Sequence, residues 1–198
     1  SEGLNVEVNK SSPSLQPNQE IRSYMREHRR FLHRFPEVGL ELPNTHVHIA
    51  QELQQLGLDV EHRSSAGVSA RIPGSDPTAR PLILRADMDA LPVVEKTGLP
   101  FASKDKTKYL GQTVGIMHAC GHDAHVAILM GVAEFLAKNK DQLKGNVMLI
   151  FQPAEEGPPE GENGGAKMML EEGIFERYNP EVIFGLHVGN GPHGYIGI

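Results

Sequence analysis

Four short segments hold most of the side chains able to do chemistry: Asp87-Met88-Asp89, the run from His118 to His125, Glu155-Glu156, and His187. Cys120 and His122 offer a thiolate and an imidazole two residues apart at the start of a helical pattern. There the helix macrodipole and free N–H groups favour the thiolate. Glu155 and Glu156 are adjacent carboxylates after an apolar run, and burying either without a partner costs several kcal/mol. A cation removes that objection. One carboxylate can then bind metal while its neighbour, with a raised pKa, acts as general base to a metal-bound water. Asp87 and Asp89 are two apart and share a side if the strand reaches them, which suits a carboxylate that orients a ligand. Arg85, inside an apolar run, needs an anion that either aspartate can supply.

Each segment also has a plain reading. Cys120 can be a small buried hydrophobe, and Glu155-Glu156 a solvated turn, since Glu160 and Glu162 follow. Asp87 and Asp89 can cap a turn, and His187 can be a core histidine. His118 and His125 stay open between supporting a ligand and packing in the core. Convergence favours the chemical reading, because ligands of open α/β sheets bind beyond the carboxyl ends of strands and these segments follow strand patterns. Metal-assisted hydrolysis accounts for all of them together. No G-x-S-x-G elbow and no Walker A stretch competes with it.

The elements that must position these residues are legible in part. Ile21, Tyr24, Met25, Leu32 and Phe35 recur at helical spacing from about Gln19 until Pro36. A second helix is predicted behind Pro43, with Asn44 or Thr45 as N-cap and Gly57 as stop. Residues 68–72 form a short apolar run before a Pro73-Gly74-Ser75-Asp76-Pro77 turn. Residues 81–86, 147–151 and 182–186 read as strands buried on both faces, with helices over about 122–138 and 165–172 between them. Strands alternating with helices predict an α/β fold: a three-layer sandwich whose mostly parallel sheet is covered by helices on both faces. Residues 1–18 read as a flexible polar tail.

The chain has 198 residues, 19 basic and 25 acidic, for a net charge of −6. No basic cluster exceeds Arg29-Arg30, which argues against nucleic acid as partner. No apolar run approaches 18 residues, so the sequence predicts no membrane-spanning helix. The single cysteine cannot form an internal disulfide and suits a reducing cytoplasm. A start rich in Ser, Asn and Pro would equally suit an exported chain whose signal had been removed.

Residues 28–37 (HRRFLHRFPE), 85–92 (RADMDALP), 117–123 (MHACGHD), 151–157 (FQPAEEG) and 185–188 (GLHV) resemble, in this order, the M20 metallopeptidase family. The likeness is greatest to its amidohydrolase branch of N-acyl-amino-acid amidohydrolases, hippurate hydrolases and auxin-conjugate hydrolases. The resemblance implies a zinc-exopeptidase-like catalytic domain of which residues 19–198 are the N-terminal portion. It implies two divalent metal ions, Zn²⁺ or Mn²⁺ with Co²⁺ or Ni²⁺ as alternatives; thiolate and imidazoles by themselves favour Zn²⁺. Cys120 then corresponds to a ligand bridging both ions, with His122, Glu156 and His187 as further ligands. Glu155 corresponds to the general base and Asp89 to the acid that orients a ligand. Asp87 stands where other branches have a histidine, and takes no ligand role.

The implied substrates are small N-acyl amino acids, including N-acetylated biosynthetic intermediates such as N-acetyl-diaminopimelate, with no nucleic acid or membrane partner. Family members are longer, adding a lid domain used for homodimerisation and a later metal-binding histidine. The expectation for these 198 residues alone is weak or single-site metal binding and little turnover. The alternative is a catalytically silent metal- or ligand-binding module.

Overall fold

The computed structural model describes residues 18–61, 67–158, 161, 163–192 and 196. Of the expected tail, residues 1–17 lie outside the described residues. Asn18 does not belong to a tail: its side chain accepts the Ile21 N–H at 2.9 Å and caps helix α1 (Gln19–Arg34). Helix α2 (Pro43–Gln55) is capped neither by Asn44 nor by Thr45. Its N-cap is Leu42, and the Glu37 carboxylate accepts the Asn44 and Thr45 N–H groups at 3.1 and 2.8 Å. A carboxylate on the positive end of a helix dipole does the work assigned to a local cap.

The strands are β1 (Asp59–Glu61), β2 (Val68–Ile72), β3 (Leu82–Asp87), β4 (Lys106–Tyr109), β5 (Gln112–Gly115), β6 (Val147–Gln152) and β7 (Val182–Gly185). Helix α3 (His122–Lys138) precedes β6, while α4 (Gly165–Glu171) and the unanticipated short α5 (Ile174–Tyr178) lie between β6 and β7. The main sheet runs β1-β2-β6-β3-β7. β3, β6 and β7 are parallel, as the apolar runs predict, but β2 pairs antiparallel with both β1 and β6. The sheet is therefore mixed, with β2 alone running opposite to the other four strands. An apolar run such as 68–72 carries no information about direction, and Asp-Val-Glu shows no periodicity. A separate ribbon pairs β4 with β5 through Leu110-Gly111, both at positive φ, as a tight hairpin turn requires.

Every residue of β6 is buried, as the central strand of a two-sided sheet requires. Val147, Leu149 and Phe151 join Leu32, Ile49, Leu53, Val126 and Met130 in a core between the sheet and α1–α3. Met148 and Ile150 join Ile83 and Met169 on the other face, beneath α4 and α5. Burying a side chain such as Phe151 contributes about 2–3 kcal/mol. The third parallel strand departs from expectation: Val182, Ile183 and Phe184 of β7 are 41%, 45% and 58% exposed. β7 is the outermost strand of the described sheet, and an apolar run does not encode how many neighbours it has.

This topology sets up a site at one rim. Asp87 of β3 lies in register with Gln152 of β6, and the Met88 N–H donates to the Gln152 carbonyl at 2.9 Å. Past those points the chain enters Asp89 on one strand and Glu155-Glu156 on the next, with His187 just beyond β7.

Candidate metal centre

His122 opens α3 and is fully buried. Its Nδ1 donates to the Asp89 carbonyl oxygen at 2.8 Å, so the lone pair on Nε2 is turned to the centre. That Nε2 has no hydrogen-bond partner, nor has the buried Oε1 of Glu156, 3.5 Å away. Glu155 Oε2 and Asp87 Oδ1 each lie 3.7 Å from the same nitrogen. Cys120 Sγ lies 3.4 Å from His187 Nε2, whose ring is oriented by Nδ1 donating to the Val188 carbonyl at 2.7 Å. Two atoms bound to one tetrahedral ion at 2.0–2.3 Å stand about 3.3–3.7 Å apart. The observed spacings have that magnitude, and three triads that share His122 bring their ligand atoms within 4.8 Å of one another: Cys120 with His187, Glu155 with Glu156, and Asp87 with His125. The six sequence-predicted site residues, Asp89 included, thus meet at one rim.

Electrostatics fit a cation as well. Burial alone would lower the His122 pKa, but Asp89, Asp87 and Glu156 raise it further than burial lowers it, so the net shift is upward. The Cys120 thiol behaves opposite to the helix-start expectation. Burial, then the Glu156, Glu155 and Asp87 carboxylates, push it up to about 11. Burial and the nearby carboxylates disfavour the thiolate, which here needs positive charge beside it.

Asp89 is 2% exposed and accepts two backbone N–H groups, from Glu155 at 3.0 Å and Glu156 at 3.1 Å. It fixes the carboxylate turn from below, while its own carbonyl fixes His122. That turn stores strain, since Ala154 takes φ +45 before it; a non-glycine residue there costs on the order of 1–3 kcal/mol.

Asp87 has other partners. It accepts from Arg85 at 2.7 Å and from His125 Nδ1 at 2.6 Å, and His125 Nε2 accepts the Val188 N–H at 2.8 Å. Burial pushes the Asp87 carboxyl up, but His125, His122 and Arg85 together hold it below the usual carboxylate range. The line Arg85–Asp87–His125–Val188 ends beside His187 and holds its loop. Sequence reasoning left His125 open. Its spacing of three from His122 was the available signal, but its bond to a backbone N–H in another loop was not readable. Gly121, at φ +96, lets the same loop approach: a Cβ there would stand 2.4 Å from Val188 Cγ2.

Residues 83–198 match the model of peptidase family M20/M25/M40. Thermostable carboxypeptidase 1 of Saccharolobus solfataricus is 44% identical over 173 residues, covering 86% of this chain and 40% of that protein. N-acetyl-L-cysteine deacetylase of Bacillus subtilis is 42% identical over 160 residues, covering 80% and 35% respectively. A crystal structure of the Bacillus subtilis YXEP protein, described as a dinuclear metal binding peptidase from the M20 family, superposes with a TM-score of 0.74. It is 36% identical, with 89% of this chain and 45% of that one covered. The chain thus spans about two fifths of the length of the curated relatives it matches. With more than half of its residues matched by the family model, over the stretch that carries the whole candidate centre, this chain belongs to peptidase family M20/M25/M40.

Proposed function

We propose that this rim is the metal centre of an amidohydrolase that cleaves the amide bond of small N-acyl amino acids, with N-acetyl, N-benzoyl or auxin-type acyl groups. The observation that carries the reading is the pair of buried, unpartnered ligand atoms, His122 Nε2 and Glu156 Oε1, 3.5 Å apart in a negative field. His122, Glu156, Cys120 and His187 would hold two divalent ions, zinc or manganese. Bound there, the ions polarise the scissile carbonyl and lower the pKa of water. Glu155, the more exposed carboxylate of the pair, is the general base: it takes the proton from the attacking water and returns it to the leaving amine. Asp89 holds Glu155 and Glu156 by their N–H groups throughout. The names of the relatives, a carboxypeptidase and an N-acyl-cysteine deacetylase, support a substrate that ends in an amino acid. A lone thiol serving as ligand supports a reducing compartment, the cytoplasm. Among the described residues no helix is long and apolar enough to cross a membrane.

A second reading is a metal-binding module with little turnover over this stretch. Release of free amino acid from N-acetyl- and N-benzoyl-amino acids, measured beside metal content, separates the two. Glu155→Gln should lower turnover at least 100-fold with metal content unchanged. Unchanged turnover in that variant would remove Glu155 as base, and turnover by a metal-free sample would remove the metal reading.

A further inference from the structure

The end of the sheet where β3 and β6 begin, opposite the candidate centre, carries an open cleft of about 310 Å³. That volume is at the lower end of the roughly 300–1,000 Å³ of small-molecule sites. Three arginines from separate elements line it: Arg71 of β2, Arg80 in the turn before β3, and Arg177 of α5. Met148 of β6, in register with Arg71, adds an apolar surface. No aspartate or glutamate lines the cleft, although the chain as a whole carries a net charge of −6. Like charges gathered round one cleft repel one another, and a bound anion reverses that cost.

Two of the three guanidinium groups are held in place. Arg80 donates through Nε to the Asn179 carbonyl at 3.0 Å and through Nη2 to the Pro180 carbonyl at 2.6 Å. Carbonyls orient the group without neutralising it. The turn that carries Arg80 is itself fixed, because buried Asn146 donates through Nδ2 to the Asp76 and Ala79 carbonyls at 3.1 and 2.7 Å. Arg177 lies over the Tyr178 ring, 5.1 Å from its centroid, and reaches Glu61 at 3.5 Å. Arg71 differs from both. Among the described residues it has no hydrogen-bond, ion-pair or ring partner, and Asp59, opposite it on β1, forms no ion pair with it. A guanidinium carries five donors in a planar fork that matches phosphate oxygens.

We propose that this cleft binds a phosphate group, either inorganic phosphate or the phosphate of a small ester, with Arg71 as the free arm that engages it beside Arg80 and Arg177. Several guanidinium charges suit a phosphate dianion better than a single carboxylate, and each contact is a charge-assisted hydrogen bond. The site is independent of the metal reading, since it shares no residue with the centre.

The test is calorimetric titration of the metal-stripped protein, so that phosphate has no metal to bind, with sodium phosphate and with glycerol phosphate at constant ionic strength. One saturable site with a Kd below about 1 mM is expected. Arg71→Met removes no contact of the folded protein; it should keep the melting temperature and weaken binding at least tenfold. Arg26→Met, an equal loss of charge on the exposed side of α1, should leave affinity within twofold. Tighter binding of the ester would identify an organic phosphate as the ligand, and equal binding the phosphate group by itself. No saturable binding of either probe up to about 10 mM, or wild-type affinity in Arg71→Met, would overturn the proposal. So would an Arg26→Met loss as large as that of Arg71→Met. If Arg71→Met does not fold, wild-type crystals soaked in phosphate decide. Density within hydrogen-bond reach of both Arg71 and Arg80 supports the site, and a cleft without it overturns it.

Discussion

His122 and His187 offer the same ring atom, Nε2, to the centre, but the molecule holds the two rings in opposite ways. His122 is fully buried at the start of a long helix, with its Nδ1 on the Asp89 carbonyl. His187 is exposed, follows an edge strand, and is steadied through its neighbour Val188 by the line that runs back to Arg85. One side of the centre is built into the core and the other is tethered to it. A pre-formed half needs no ordering when metal binds, whereas a tethered half loses conformational freedom at that moment.

The built-in half should break hardest. Asp89→Leu leaves the carbonyl that holds His122 but strips the acceptor from two part-buried N–H groups. The expected loss is about 2–4 kcal/mol in urea unfolding, with Zn²⁺ affinity falling more than 100-fold by chelator competition. Gly121→Ala strikes the join between the halves. Its φ of +96 and the Cβ 2.4 Å from Val188 Cγ2 force the His187 loop outward. A cost of about 1–3 kcal/mol and at least a tenfold loss of Zn²⁺ affinity should follow. His125→Phe cuts only the tether. Stability should fall by about 1–2 kcal/mol, and metal analysis should show weaker retention, with the Cys120–His187 side emptied first. If His125→Phe cost as much metal affinity as Asp89→Leu, the contrast between the two halves would be wrong.

The smallest expected effect sits behind the built-in half. The hydrogen bond to Asp123 raises the His33 pKa above its ordinary 6.5; burial opposes this, and Glu95 adds to it. A raised folded-state value means that the stability His33 contributes is fully present below about pH 6.5 and is lost as pH rises through the folded value. Urea unfolding between pH 5.5 and 8.5 should therefore show a decline that His33→Gln flattens. Equal slopes in the two proteins would show that His33 carries no such linkage.

How much of this was readable in the residues follows the same division. Cys120, His122, Glu155, Glu156 and His187 announce themselves by type and by their place after strand and helix patterns, and the parallel order of β3, β6 and β7 brings them to one rim. What stayed hidden depends on partners without sequence identity. Asp89 works on backbone N–H groups, His125 on the backbone of Val188, and Glu37 caps a helix it does not belong to. The Cys120 thiol runs against the helix-start expectation because the helix start is local, while its burial and the carboxylates from other strands are set by the fold. β1, β4 and β5 escaped notice because they are short and largely polar, with no apolar run to read. The apolar content of β7 was visible, but its edge position belongs to the sheet and not to the strand.

The most direct test is anomalous scattering from crystals grown with zinc or manganese. The account predicts metal peaks about 2.0–2.3 Å from Cys120 Sγ, His122 Nε2, His187 Nε2 and a Glu156 oxygen. Peaks lying elsewhere, or these side chains standing more than about 6 Å apart in the metal-soaked protein, would contradict it.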